Sequence, residues 1–402
     1  MDRLAKNIDW KSLQDFQNVI IFGAGAAGQG VMKLLRSNGV KVFCFHDNGA
    51  VAPYSLQGVP VSRLDLSTID PKSNIFVLAI HDMDEAIRQL EKVGGCSWVP
   101  AYDLLNGDSQ ADLSFFERQK IEAIYFYYEH YIKQKGRALN SLDFVITERC
   151  SLRCRECSNL MQYYKHPRHY DSDALKRQLD RVDEVFDEIY ELRLIGGEPL
   201  VHPSWPEILQ YASSKAKIHR ISIYTNGTVL PTEAQCEILK ASNAWLSISD
   251  YGELSRNLKA LIERMERYSI PYECKAVPFW TRCSSFVKHE RAAQELTEVF
   301  QRCCARNLAT LLDGKLYPCP FIANALNLRA IPLCKADRVD LMKDTAIQDM
   351  RKGIKELFQV PYFQSCAWCE GRPTPEDIRE EDKIPPHEQI QDPRSYVKFE
   401  GE

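Results

Sequence analysis

Three cysteines stand close together at Cys150, Cys154 and Cys157, in CSLRCREC, with an arginine on each side of the middle one. Three thiolates on one short loop can hold metal. A structural zinc takes four protein ligands, commonly as two separated pairs. A cubane of four irons held by three thiolates leaves one iron open to a ligand that is not protein. The alternative from the same residues is a zinc completed by a distant histidine such as His166 or His169. Arg153 and Arg155 are expected to offset negative charge near the thiolates. A second set, Cys304, Cys319, Cys366 and Cys369, lies towards the other end of the chain, and Cys303 competes with Cys304 for the first place in it. Four thiolates close a second cluster with no open iron, or equally a structural zinc.

The compartment decides what 14 cysteines in 402 residues mean. The opening MDRLAKNIDWKSLQ has no apolar run suited to a signal peptide, and no stretch of about 18 apolar residues suggests a membrane span. A cytoplasmic protein is expected, in which clustered cysteines serve metal or redox chemistry. With 45% hydrophobic and 26% charged residues and a formal charge of −4, the chain reads as soluble and globular. It has no overall field for gripping nucleic acid or anionic lipid. Cys44 lies in an apolar strand and reads as core, Cys96 and Cys236 have no partner motif, and Cys274, Cys283 and Cys334 fall near the expected barrel mouth or hairpin.

The elements that must position these residues read as α/β throughout. NVIIFGAGAAGQGVMKLL is a buried strand, then Gly23, Gly25 and Gly28 at the spacing of a dinucleotide-binding turn, then a helix. The first glycine allows the tight turn, the second lets a pyrophosphate approach, and the third lets helix and strand pack closely. VKVFCF ends at His46 and Asp47, where a carboxylate would meet a ribose hydroxyl. NIFVLAI and a helix from Asp84 to Lys92 continue the alternation, so residues 1–105 read as a Rossmann-like parallel sheet. Residues 106–140 read as a connecting helix, followed by a partial (β/α)6 barrel over 141–298. LATLLDGKLYPCPF within 299–375 reads as a small β-hairpin domain turned at Asp313-Gly314 that binds a cluster, and 376–402 reads as a charged, proline-rich tail.

The first of these domains resembles that of sugar acyltransferases holding a nucleotide-sugar, in FGAGAAG and in GVPV at 58–61. Cysteines spaced C-x3-C-x2-C after the first barrel strand resemble the radical S-adenosylmethionine (SAM) superfamily. IGGEPL at 195–200 is similar to that family's GGEP loop, SIYTNGT at 222–228 to its ribose- and methionine-contacting strand, and SISDYG at 247–252 to a further SAM-contacting strand. The resemblance implies SAM contacts at Gly196, Gly197, Glu198, Pro199, Thr225, Asn226 and Ser249, with Glu198 on the SAM amine. Glu156 stands where the family commonly has an aromatic residue. The C-terminal cysteines resemble a twitch, or shortened SPASM, extension with an auxiliary [4Fe–4S] cluster.

The activity so implied is reductive cleavage of SAM at a [4Fe–4S] cluster to a 5′-deoxyadenosyl radical, which takes hydrogen from a substrate. The N-terminal resemblance points to a carbohydrate or nucleotide-sugar substrate that is oxidised, epimerised or rearranged, with a flavodoxin- or ferredoxin-type electron donor. The other classes are a radical SAM peptide maturase and a non-catalytic, zinc-bound, nucleotide-sensing scaffold. The residue that does the chemistry on the substrate is not identified by the motifs.

Overall fold

The computed structural model describes residues 10–92, 94–106, 113–132, 137–305, 307–371, 378–385 and 388–399. The chain divides into two compact units, Met1–Gln134 and Lys135–Glu402.

The first unit begins with a short helix, α1 (Trp10–Gln14), and the strand β1 (Asn18–Phe22). The helix α2 (Ala26–Ser37), β2 (Val42–His46), the antiparallel pair β3 (Tyr54–Leu56) and β4 (Val59–Ser62), β5 (Asn74–Leu78), α3 (Met83–Lys92) and β6 (Ser97–Pro100) follow. The sheet order is β3-β4-β2-β1-β5-β6, with every pair parallel except β3–β4. β5 is buried along its whole length, as a strand covered on both faces must be. Of the span expected as a connecting helix, α4 (Phe115–Phe126) is helical, and residues 107–112 and 133–136 lie outside the described residues. A capping box between Ser114 and Glu117 starts α4, and its Ile121 and Ile124 belong to the core of this unit.

The second unit opens on the long strand β7 (Ala138–Thr147). Four strand–helix repeats build its sheet: α5 (Ser172–Val185) and β8 (Glu188–Gly196), α6 (Trp205–Ser213) and β9 (Ile218–Thr225), α7 (Glu233–Ala241) and β10 (Trp245–Asp250), α8 (Leu258–Tyr268) and β11 (Tyr272–Ala276). Beyond the short β12 (Trp280–Thr281) and α9 (Ala293–Gln301) come β13 (Ala309–Leu312) and β14 (Lys315–Tyr317). Then follow α10 (Pro320–Asn327), β15 (Val339–Asp340), α11 (Ile347–Phe358) and β16 (Lys383–Ile384). The strand order is β11-β10-β9-β8-β7-β13-β14-β15. β7 to β11 are mutually parallel, and β13 adds in parallel on the far side of β7.

The hairpin therefore extends the sheet of the parallel strands instead of forming a sheet of its own. Its turn has Asp313 at φ +49° and Gly314 at φ +75°, the paired positive angles that match a two-residue turn to the twist of its strands. Where it is described, the tail lies along the second unit: β16 pairs with β12, and residues 388–399 lie against the cysteine loop and the end of α10.

The glycine turn tests the packing of the first unit. A Cβ on Gly28 would stand 2.0 Å from the Gly23 carbonyl oxygen, whereas one on Gly25 meets nothing within 4 Å. Gly28→Ala is expected to lower the denaturation midpoint by at least the ~1–3 kcal/mol of an overpacked core. Gly25→Val should cost no more than about 1 kcal/mol, the loss of a favourable N-cap residue.

Candidate functional site

In a parallel sheet, function gathers where the strands end, because the loops leaving the C-terminal edge all emerge there. β7 ends at Thr147 and runs into the cysteine loop; β8 ends at Gly196, β9 at Thr225 and β10 at Asp250, so the four motifs found along the sequence leave one edge.

Glu198 ties two of them. It is fully buried, and its Oε1 accepts from the Leu200 amide at 3.1 Å while Oε2 accepts from the Asn226 amide at 2.8 Å. Burial pushes its pKa up to about 7, against the pull of those amides. Glu198 thereby holds the GGEP loop against the end of β9. Gly196 and Gly197 permit that approach: a Cβ on the first would lie 2.0 Å from the Thr147 carbonyl oxygen, and on the second 2.1 Å from that of Arg149. Pro199 is buried at the start of the following turn. Thr225 Oγ1 accepts from the Gly227 amide, and the Ser249 carbonyl accepts from Ser255 Oγ.

Asn226 carries the link to the thiols. Its amide nitrogen donates to Ser151 Oγ at 3.1 Å and reaches Cys150 Sγ at 3.6 Å, and Ser151 Oγ and Thr228 Oγ1 share a 2.5 Å hydrogen bond. Cys150, Cys154 and Cys157 are free thiols, and Cys150 feels the charge of the other two. Burial, reinforced by Glu198, raises the Cys150 thiol strongly, and burial also raises Cys154. A cationic metal centre reverses that preference, because a coordinating thiol is deprotonated outright. Two sulfurs already accept N–H donors of the kind that stabilise bound thiolates: Cys150 from the Leu152 amide at 3.5 Å and Cys154 from Gln389 Nε2 at 3.2 Å. The donor set fits a cluster held by three thiolates. Tyr251, just past β10, lies within the field of all three thiols and stacks on Trp280 at 5.9 Å.

Several positions behave differently from the sequence expectation. The guanidinium of Arg155 pairs with Glu388 at 2.6 Å and that of Arg153 bonds the Gln391 carbonyl, so both arginines clasp the tail. The buried Glu156 holds Arg394 at 3.2 Å and Ser284 Oγ at 2.5 Å, which accounts for a carboxylate where an aromatic residue is usual. Of the candidate zinc-completing histidines, His169 bonds Thr147 Oγ1 at 2.9 Å and His166 lines a separate cavity. Gln389 and Arg394, more than 230 residues from the loop they hold, carried no motif that could have found them.

The C-terminal cysteines meet through their flanking aromatics: Phe300, three residues before Cys303, packs edge-on against Phe363, three residues before Cys366. Cys303 accepts from the Ala305 amide and lies in the field of Cys319, whereas Cys304 is exposed. Cys319 accepts from the Ile322 amide and Cys369 from Gly371, each at 3.4 Å. Burial pushes the Cys366 thiol up to about 12. Arg291 grips the carbonyls of Cys366 and Cys369, and the buried Asp337 accepts from the Ser365 amide at 2.7 Å. Among the described residues, no three His, Cys, Asp or Glu side chains gather as ligands of a single metal ion.

In the first unit, Gly23 takes φ +104°, Gly28 packs on the turn and Gly25 faces open space. Asp47 caps the turn itself, accepting from the Ala24 amide and the Gly49 amide at 2.8 Å each. Its carboxylate thereby fixes the glycine loop. Cys44 is buried in this unit's core. No helix among the described residues is long and apolar enough to cross a membrane.

A parallel sheet thus gathers a three-cysteine loop, a GGEP loop and a TNG strand end at one edge. Residues 144–249 match the Radical SAM superfamily, so the chain contains a radical SAM domain. GTP 3′,8-cyclase of Syntrophomonas wolfei subsp. wolfei is 33% identical over 107 residues, 25% of this chain and 30% of that protein. GTP 3′,8-cyclase 3 of Mycobacterium tuberculosis is 27% identical over 151 residues, 35% of this chain and 38% of that protein. The chain thus spans well under half the length of these curated relatives. Among solved structures, anSMEcpe with bound AdoMet aligns with TM-score 0.40 at 14% identity, over 62% of this chain and 93% of that one. BtrN in complex with AdoMet and 2-DOIA aligns with TM-score 0.33 at 16% identity, over 58% and 93% respectively.

Glu198→Ala leaves two buried amides without an acceptor and is expected to cost ~2–5 kcal/mol in chemical denaturation. Glu198→Gln, which keeps one acceptor oxygen, should cost less than half of that loss. Equal losses for the two variants would show that the bridging role is wrong.

Proposed function

We propose that this chain is a radical SAM enzyme acting on a carbohydrate or nucleotide-linked substrate, with an auxiliary cluster in its C-terminal part. The observation that carries the reading is the hydrogen-bonded path from Glu198 through Asn226 to Ser151 and Cys150, which makes one site of three sequence-distant motifs. When bound, the cluster and SAM supply one-electron cleavage and a hydrogen-abstracting radical. The chain's own part is positional. Cys150, Cys154 and Cys157 would hold the cluster; Asn226 and Gln389 donate to the Cys150 and Cys154 sulfurs; the buried Glu198 sets the GGEP loop; Tyr251 and Trp280 form an aromatic wall near the thiols. Cys319, Cys366 and Cys369 would hold the second cluster, with Cys303, the more buried of the adjacent pair, in preference to Cys304. The relatives' name, GTP 3′,8-cyclase, favours a nucleotide-bearing substrate, and the open space at Gly25 at the start of α2 suits a diphosphate handle.

With dithionite and SAM, the reconstituted protein is expected to form 5′-deoxyadenosine, and Cys150, Cys154 and Cys157 replaced together by alanine should abolish it. About four irons should remain in that variant. Further loss of iron on adding Cys303→Ala, with none on adding Cys304→Ala, would identify the fourth ligand. Undiminished deoxyadenosine in the triple variant would refute the assignment, and zinc in place of the residual iron would refute the auxiliary cluster.

Calorimetry with uridine, guanosine, cytidine and thymidine diphosphates and their sugars, alongside NAD and NADP, tests the first unit. A nucleoside diphosphate or its sugar conjugate should bind, and Gly25→Val should weaken it without affecting substrate-free SAM cleavage. Tight NAD binding with no response to any sugar nucleotide would mean that the ligand class is different.

A further inference from the structure

A cavity of about 450 Å³ opens in the second unit, apart from the thiol loop's contacts with Asn226. Glu148, the residue after β7, lies in its floor with Tyr164 and Asn327; Lys165, Arg168, Arg329 and Lys398 surround them. The whole chain carries a formal charge of −4, so four cations around one small cavity are a local reversal of sign.

The charge is not consumed by the protein. Arg168 pairs with Glu148 at 3.6 Å and with Asp313 at 3.2 Å. Lys165, Arg329 and Lys398 have no ion-pair partner among the described residues. The charge of Glu148 is offset by Arg168, which leaves Lys165, Arg329 and Lys398 as the cavity's unpaired cations among the described residues. Glu148 is buried and accepts from the Tyr170 hydroxyl at 2.7 Å, the Asn327 side-chain amide at 3.0 Å and the Arg168 backbone amide at 3.1 Å. Lys165, Arg329 and Lys398 are exposed, so water and salt screen their mutual repulsion, and an anion placed between them gains from all three at once.

The end of α10 places Arg329. It takes φ +57° as the left-handed residue that closes the helix, with the Arg329 amide donating to the Leu326 carbonyl at 3.1 Å and the Ala330 amide to that of Ala325 at 2.8 Å. The tail docks on this turn: the Phe399 amide donates to the Arg329 carbonyl at 2.8 Å, and the Tyr396 hydroxyl to that of Leu328 at 3.1 Å. The same docking brings Lys398 to the cavity.

We propose that this cavity is a binding site for a phosphate-bearing small molecule, held by Lys165, Arg329 and Lys398 with Arg168 behind them. Lysines act on phosphate as point charges and arginines as a donor fork, so the set suits a diphosphate or a sugar phosphate better than a single carboxylate. The site stands whatever reaction the thiol loop supports.

Inorganic pyrophosphate is the first probe, titrated into the full chain at low salt and followed by calorimetry. Binding in the micromolar range is expected, weakening as salt rises and at least tenfold weaker in Lys165→Gln/Arg329→Asn/Lys398→Gln, in which asparagine tolerates the left-handed backbone. On the wild-type protein, pyrophosphate should also protect Lys165 and Lys398 from acetylation, while the exposed Lys259 stays reactive. Uridine diphosphate in place of pyrophosphate distinguishes a nucleotide from a simple phosphate: tighter binding that the triple variant weakens identifies a nucleotide. Absence of binding at millimolar pyrophosphate, equal binding by the triple variant, unprotected lysines, or binding removed only by Gly25→Val would each overturn the proposal.

Discussion

A carboxylate with no access to water holds the candidate site together. Glu198 has no exposed surface and is bound through backbone amides from two different loops, one after β8 and one after β9. Taking a carboxylate out of water is costly, and the cost is tolerated only where donors replace the lost solvent. Those donors are fixed by the sheet register, so the loops cannot part without leaving buried polar groups unmet. The glycines before Glu198 follow from the same demand, since any side chain at Gly196 or Gly197 would collide with the backbone after β7.

From that anchor the constraint passes to the thiol loop. Asn226, whose amide is held by Glu198, reaches both Ser151 and Cys150 with its side chain. On the other flank the chain end crosses the loop, pairing Gln389 with Cys154 in a short antiparallel bridge and clasping Arg153, Arg155 and Glu156. A loop of buried and half-buried thiols has little local structure of its own. It is ordered here by hydrogen bonds from segments far away in sequence, which is how the ligands of a metal centre are oriented before metal binds. The C-terminal cysteines follow the same rule, with Arg291 and Asp337 holding the backbone on which Cys366 and Cys369 sit.

The tail thereby acquires a double position. Its early part faces the cysteine loop, and its last described residues dock on the end of α10 beside a cluster of cations. Composition alone marked this segment as solvent-seeking. Its contacts come from single polar side chains meeting backbone groups that the sheet leaves at its edge, and hydropathy does not register such contacts.

The sequence by itself determined the elements and the order of the motifs. Periodicity and glycine placement set the alternating strands and helices, and the spacing of Cys150, Cys154 and Cys157 followed by GGEP and TNG marked a radical SAM domain over the residues where the superfamily matches. These signals are local, carried by a few consecutive residues whose chemistry is the same wherever they lie. Partnership was left to the tertiary structure. Glu198 and Asp47 read as ligand contacts because their types suit that role; the backbone amides that each also holds are brought near only by the folded register. Cys303 and Cys304 are adjacent and chemically equal in the sequence; the turn after α9 exposes one and partly buries the other. Gln389, Arg394 and the cations of the cavity were invisible for the same reason. A hydrogen bond or a charge pair depends on distance in space, and across more than 200 residues of chain that distance is fixed by packing alone.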